Sequence, residues 1–231
     1  MRTIKKQADG MPRFSELVAI QMNIADDITL RDTFVNIYLV GAADQAFYRN
    51  FVISCVVVLN QEMEVVDQSF SLCKETMPYV PGLLSFREGP PIIEAFKKLG
   101  TKPDVLLVDG CGINHFRSVG LATYVGIMLS TPTIGVSKKK LCGEFIEPLE
   151  EGEVQKLIYK SKTVGFVLKS KKEARPIFIS PGTGISLESS LKITRDCLIK
   201  HKIPEPIRIA HNKVNELKRE ISKQCFSLSS V

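Results

Sequence analysis

The sequence predicts an α/β protein: a mixed β-sheet, made of an antiparallel meander followed by alternating helices and strands, flanked by helices. Three observations lead there. Three apolar, β-branched runs follow one another at residues 35–44, 51–60 and 64–73, the last two separated by a short polar turn. From residue 91 onward, runs with helical spacing alternate with short apolar runs. Hairpin-linked strands followed by right-handed crossovers place helices on both faces of one sheet.

Each element has its own signal. Residues 14–28, FSELVAIQMNIADDI, carry apolar side chains at helical spacing and read as a helix. VNIYLVGAAD (35–44) reads as a strand that stops at Gly41 and Asp44. FVISCVVVLN (51–60) and EVVDQSFSLC (64–73) read as a hairpin. Residues 75–91, rich in proline and glycine, read as an ordered loop. The helix predicted at 91–100 starts on proline and has Gly100 after it. DVLLVD (104–109) is a buried strand, 119–130 an apolar helix and 131–139 a strand running into lysines. Strands at 163–170 and 176–182 precede a helix at 186–201. After the PEP turn (204–206), an amphipathic helix runs to about Lys223. With no repeat, linker or break in composition, one domain over residues 1–231 is expected, frayed at 1–12 and 225–231.

Composition narrows the function class. Apolar residues make up 44% and charged residues 24%, a globular balance. A net charge of +6 leans toward a polyanionic partner. No apolar stretch approaches the ~20 residues of a membrane helix, and no apolar signal region follows the basic N-terminus. A soluble, cytoplasmic monomer with no membrane partner is the expectation. The six cysteines form no CxxC pair, which argues against a disulfide framework or a zinc site.

Three acidic residues stand out: Asp44 and Asp109 at predicted strand ends, and Glu88 in the predicted loop. The two aspartates meet if their strands are neighbours, and close buried carboxylates repel unless a cation or proton lies between them. Hard oxygen ligands from separate elements suit Mg²⁺, with Mn²⁺ as a substitute. Such a site activates water and neutralises phosphate charge; Lys138 and Lys139 follow a strand and can set a cation beside that phosphate. Taken singly, each residue has a plainer reading. A strand-end Asp is more often a turn residue. Glu88 beside Arg87 reads as a solvated charge, the lysine run 138–140 as a solvated edge, and His115 as structural. DGCG lacks dinucleotide-binding spacing.

The combination is more specific. VGAAD, PYVPGLLSFRE, VLLVDGCGINHFRSVGLATYVG, TIGVSKKKLCGEF and IPEPIRIAH resemble endonuclease V in sequence and order, over roughly residues 14–215. The resemblance implies a ribonuclease H-like fold, dependence on Mg²⁺ (or Mn²⁺), and recognition of deaminated bases, inosine or deoxyinosine, in DNA or RNA. It implies hydrolysis of the second phosphodiester bond 3′ to the lesion, leaving 3′-hydroxyl and 5′-phosphate ends, most simply in DNA repair. By motif position, Asp44, Glu88 and Asp109 match the metal-binding carboxylates and Lys138 the lysine at the scissile phosphate. Tyr79 matches the wedge that replaces the displaced base. Pro81, Gly82, Leu84, Gly110 and Leu141 match positions around the flipped base, with His115, Gly120 and Leu121 nearby.

Chemistry agrees with that implication. Hypoxanthine presents a ring N–H and a carbonyl, which backbone groups of a glycine-rich pocket can read. Glycine lets the backbone come close, and a proline-flanked Tyr79 loses little entropy as a wedge. One departure is expected to matter. Where the family often has a histidine in a GH motif, before the penultimate helix, this chain has Thr183 and Gly184. A hydroxyl is a poor metal ligand and no base at neutral pH, so either water, ordered by Glu188, takes that place or activity is altered. The competing readings are a non-catalytic binder of inosine-bearing nucleic acid, an inosine-specific endoribonuclease, and a ribonuclease H-like nuclease for junctions or hybrids.

Overall fold

Residues 13–228 are described by the computed structural model. One eight-stranded sheet runs in the order β3-β2-β1-β4-β5-β8-β7-β6. β1 (Val40–Tyr48), β2 (Phe51–Leu59) and β3 (Val65–Lys74) form the antiparallel meander. β4 (Val105–Asp109) lies parallel to β1, and β5 (Thr133–Ser137) parallel to β4. β6 (Val154–Tyr159), β7 (Lys162–Leu168) and β8 (Ile177–Thr183) close the far side with antiparallel pairings. α1 (Phe14–Ala25) precedes the sheet, α2 (Leu84–Lys98) and α3 (Leu121–Leu129) alternate with the central strands, and α4 (Leu187–Asp196) and α5 (Glu205–Leu228) follow it.

Two cores cover the two faces, as alternation along each strand requires. Ala42, Ala46, Val57, Leu107 and Ile134 pack under Ile207, Ala210 and Val214 of α5. Ala43, Val56, Val58, Leu106 and Val108 pack under Ile92, Ala95 and Phe96 of α2 and Leu121 and Val125 of α3. On β1 and β4 the odd-even alternation therefore aims Asp44 and Asp109 toward the α5 side.

Several expectations change. β1 begins at Val40, not residue 35, and continues through Asp44 to Tyr48, because nine residues of β2 pair with it without a break. A two-residue turn with Arg49 at φ 53° closes that hairpin. Glu88 lies in a helix rather than a loop: α2 starts at Leu84 and carries Pro90 and Pro91 inside it. A proline read as a first-turn residue normally marks a start, but here the apolar stripe on the sheet, with Ser85 and Gly89 buried ahead of it, holds the earlier turn helical. β6 is a strand the sequence pattern does not show; only Leu157 of its six residues is buried. α5 reaches Leu228, past the expected stop near Lys223. The fraying expected at 1–12 and at the last residues, 229–231, lies outside the described residues.

Candidate active site

Asp44 and Asp109 come together because β1 and β4 are parallel neighbours whose last pairing is Ala43 with Val108. β4 ends at Asp109, while β1 runs on beside β2 alone. The carboxylates thus sit in the crevice at the carboxyl ends of parallel strands, where α/β sheets bind ligands. Lys138, one residue past β5, places Nζ 2.7 Å from Asp109 Oδ2. Glu88 approaches from α2; its neighbour Arg87 anchors that turn by an ion pair to Glu75 at 2.9 Å and by lying over the Phe47 ring of β1.

Burial raises the proton affinity of Asp44, and the Asp109 charge raises it further. Burial also lifts Glu88 to about 7, with Asp44 and Asp109 adding to the effect and Arg87 opposing it. Carboxylates crowded together out of water are a site for hard positive charge. Among the described residues, no three His, Cys, Asp or Glu groups stand near enough to share one ion as placed. The donor set nonetheless suits a hard divalent ion in kind: all oxygen, from three elements, with Asp44 and Asp109 side by side.

A fourth group completes the cluster. His211 of α5 brings Nδ1 2.6 Å from Asp44 Oδ2, and Asn215 Nδ2 lies 3.3 Å from its Nε2. In the sequence, His211 appears only as the end of IPEPIRIAH, with no role attached. Its signal was a histidine adjoining the buried stripe Ile207, Ala210 and Val214. Thr183, by contrast, is level with Thr133 and Leu106, three residues back from Asp109 along the strands. Its hydroxyl accepts from the Thr29 N–H at 3.1 Å, at the opposite end of the sheet. Glu188 is exposed at the start of α4, beside that same end. The expected gap at Thr183 is therefore not a gap in the site.

Beside Asp109 opens a pocket of about 520 Å³. Eight of the residues expected around the base line it or its mouth: Tyr79, Gly82, Leu84, Gly110, His115, Gly120, Leu121 and Leu141, together with Lys138. Pro81 is exposed and does not line it. Ser85, unforeseen, does, and its buried hydroxyl has no partner among the described residues. Tyr79 is 63% exposed at the rim. Gly120 is required because a Cβ there would meet the Cys111 carbonyl oxygen at 2.3 Å. His115 is held neutral: burial and then the nearby Arg117 push it down to about 4. The Arg117 N–H donates to its Nδ1 at 3.2 Å, which leaves the proton on Nε2.

The pocket wall is braced from α1. Buried Gln21 donates to the carbonyls of Val119 (2.7 Å) and Gly82 (3.1 Å) and accepts from Arg117 Nε (2.6 Å). Arg117 also donates to the Gly82 carbonyl at 2.7 Å, fixing a turn in which Gly82 has φ +79°. Gln21→Leu strips these partners, and orphaned buried polar groups cost about 1–3 kcal/mol each. A melting temperature several degrees lower, with a raised KM for base-containing substrate, is expected by calorimetry and steady-state kinetics. An unchanged KM would show that the wall needs no brace.

Comparison with known proteins places this arrangement. The family model described as Endonuclease V matches residues 22–212. The chain belongs to the endonuclease V family. An endonuclease V of Archaeoglobus fulgidus is 44% identical over 210 residues, 90% of this chain and 94% of that one. The crystal structure of Bacillus subtilis endonuclease V superposes with a TM-score of 0.88 at 31% identity, covering 97% of this chain and 100% of that one. Ciona intestinalis endonuclease V, crystallised with a 24mer DNA containing an inosine followed by a ribo-adenosine, gives a TM-score of 0.72 at 28% identity, over 90% of this chain and 98% of that one. The mixed sheet is the ribonuclease H-like fold of endonuclease V structures, and the protein is a nuclease of that family. Among the described residues, no helix is long and apolar enough to cross a membrane.

Proposed function

We propose that this endonuclease V requires a divalent ion, Mg²⁺ or Mn²⁺, and recognises inosine or deoxyinosine in nucleic acid. It hydrolyses the second phosphodiester bond 3′ to that base and leaves 3′-hydroxyl and 5′-phosphate ends. The observation that carries this reading is the juxtaposition of the Asp44–Asp109 pair with a pocket of about 520 Å³, roomy enough for a displaced base, whose wall includes Asp109 itself. The inosine-containing DNA bound by the Ciona relative supports the choice of base. A single-domain monomer acting in the cytoplasm on DNA lesions is part of the same proposal.

The chain's own groups divide the work. Asp44, Asp109 and Glu88 would hold the ion, which would supply Lewis-acid chemistry at the scissile phosphate. With Nδ1–H donated to Asp44, the Nε2 of His211, which faces the Asn215 amide N–H at 3.3 Å, is the acceptor for a proton from the attacking water. Lys138 lies beside Asp109 and sets positive charge against the phosphate oxygens. Tyr79 fills the stack when the base turns out, offsetting a few kcal/mol of unstacking by roughly 1–3 kcal/mol of its own. Neutral His115, backbone groups near Gly82, Gly110 and Gly120, and the Ser85 hydroxyl read the pairing edge in the pocket. Incubating matched deoxyinosine and inosine oligonucleotides with Mg²⁺ or Mn²⁺ tests the proposal. Product one nucleotide beyond the lesion is expected; tight binding without product under either ion would instead favour the non-catalytic binder.

Ion binding should depend on pH in a defined direction. The Glu88 carboxyl, raised from 4.5 to about 7, is more readily protonated folded than unfolded. Its contribution therefore favours the ion-free fold below about pH 4.5 and is lost as pH rises to about 7. An ion must displace that proton, so its affinity rises over the same window. The melting-temperature gain from Mg²⁺ should be small at pH 5.5 and larger at pH 8, and Glu88→Gln should reduce both the gain and its pH dependence. Equal gains at the two pH values would rule out Glu88 as a ligand.

A further inference from the structure

A second groove, of about 560 Å³, is lined by Tyr48, His211, Asn215, Lys218, Arg219 and Ser222. The five helical positions fall on one stripe of α5. Eleven residues at 1.5 Å rise extend that stripe roughly 16 Å from His211. Glu216 and Glu220 point roughly 120–160° around the helix from it. Among the described residues, neither Lys218 nor Arg219 is within ion-pair distance of a carboxylate. Side chains link the groove's head to its far part: Asn215 donates to the His211 carbonyl at 2.8 Å, and Arg219 Nε to the Asn215 carbonyl at 3.3 Å. Tyr48, on the overhang of β1 beyond the end of β4, adds a half-buried ring at the groove's side, with the Arg49 guanidinium 5.3 Å from its centroid.

We infer that this groove is a docking track for the sugar-phosphate strand on the 3′ side of the cut. The inference rests on the function proposed above, and the order of groups carries it. Asp109 lines the base pocket, Asp44 is its neighbour, His211 binds Asp44, and His211 opens the groove. The carboxylates therefore stand between pocket and groove. A strand with its base in the pocket passes the carboxylates before it reaches Lys218 and Arg219. Hydrolysis takes place 3′ to the base, so the segment beyond the carboxylates is the 3′ one. Unpaired cations next to amide and hydroxyl groups suit phosphates, and the Tyr48 ring suits a stacked base.

The test uses the full-length protein and single-stranded inosine oligonucleotides whose 5′ and 3′ flanks are shortened independently. Affinity is read across salt concentrations in an Asp109→Asn background, and cutting is read in the otherwise wild-type chain. Lys218→Ala/Arg219→Ala should bind a long-3′-flank strand about tenfold or more weakly. Two lost phosphate contacts should lower the slope of log affinity against log salt by about 1.4. The penalty should shrink as the 3′ flank is shortened and persist when the 5′ flank is. Lys97→Ala and Lys192→Ala, exposed on α2 and α4, serve as controls and should keep the wild-type slope. Equal affinity and slope in the double variant, while the wild type cuts, would overturn the track alone. A penalty that follows the 5′ flank overturns its assigned side. A wild type that never cuts overturns the nuclease proposal and the 3′ assignment with it.

Discussion

Asp109→Asn is expected to bind an inosine-containing strand and fail to cut it. The substitution keeps the shape of the side chain, so no cavity forms at the end of β4. The ion pair to Lys138 is lost, but its ammonium side chain is 43% exposed, and such pairs contribute little to stability. What changes is charge. An ion held by these carboxylates would lose an anionic ligand, and several kcal/mol of transition-state charge stabilisation would go with it. At 1.36 kcal/mol per factor of ten, cleavage should slow by roughly a thousandfold or more. Binding should survive, because asparagine keeps the shape of that part of the wall and the other lining residues do not depend on the carboxylate. Single-turnover cleavage read beside fluorescence anisotropy separates the two effects. A variant that cuts at the wild-type rate would remove Asp109 from the metal site and leave the proposed chemistry without its centre.

His211→Ala should lower kcat roughly a hundredfold to ten-thousandfold, the range for losing a positioned acid or base. KM should move far less than kcat, since His211 is not among the residues of the base pocket and stands only at the head of the groove. The variant also frees Asp44, whose carboxylate is bonded to His211 Nδ1 at 2.6 Å. A glutamine that restores only a hydrogen-bond donor would recover the orientation of Asp44 but not the proton acceptor. His211→Gln should therefore stay slow. Thr183→Val is the informative partner: it sits at the other end of the sheet and should leave kcat unchanged while costing some stability through the Thr29 N–H. If Thr183→Val were the slow variant and His211→Ala the fast one, the catalytic histidine would have been placed wrongly.

Much of this was legible in the residues. The aliphatic runs that became β2, β4, β5 and β8 identify themselves, because strands buried on both faces need continuous apolar sequence. PYVPG and LLVDG carry turn and strand-end chemistry of their own, but the pocket-lining residues could be named in advance only through the resemblance to endonuclease V. Other elements hid for physical reasons. β6 is an edge strand, half polar, with a single buried residue to betray it. Two internal prolines masked the first turns of α2, whose helicity comes from packing on the sheet. Glu88 looked like a loop residue for that reason.

By itself, then, the sequence determined the kinds of group this protein has: a mixed sheet, three carboxylates, a lysine, and a glycine-rich lining with a tyrosine at its mouth. Turn chemistry and hydrophobic period, which act over a few residues, suffice for the sheet and for acidic strand ends; the lining and the tyrosine came from the resemblance of whole motifs to endonuclease V. Only the tertiary structure decided which groups meet. Strand register set Asp44 against Asp109, and α5 carried His211 across 167 residues of chain to Asp44 while leaving Thr183 at the far end. Contacts of that range depend on how elements pack, and no short stretch of chain encodes which helix face will come to lie over which strand.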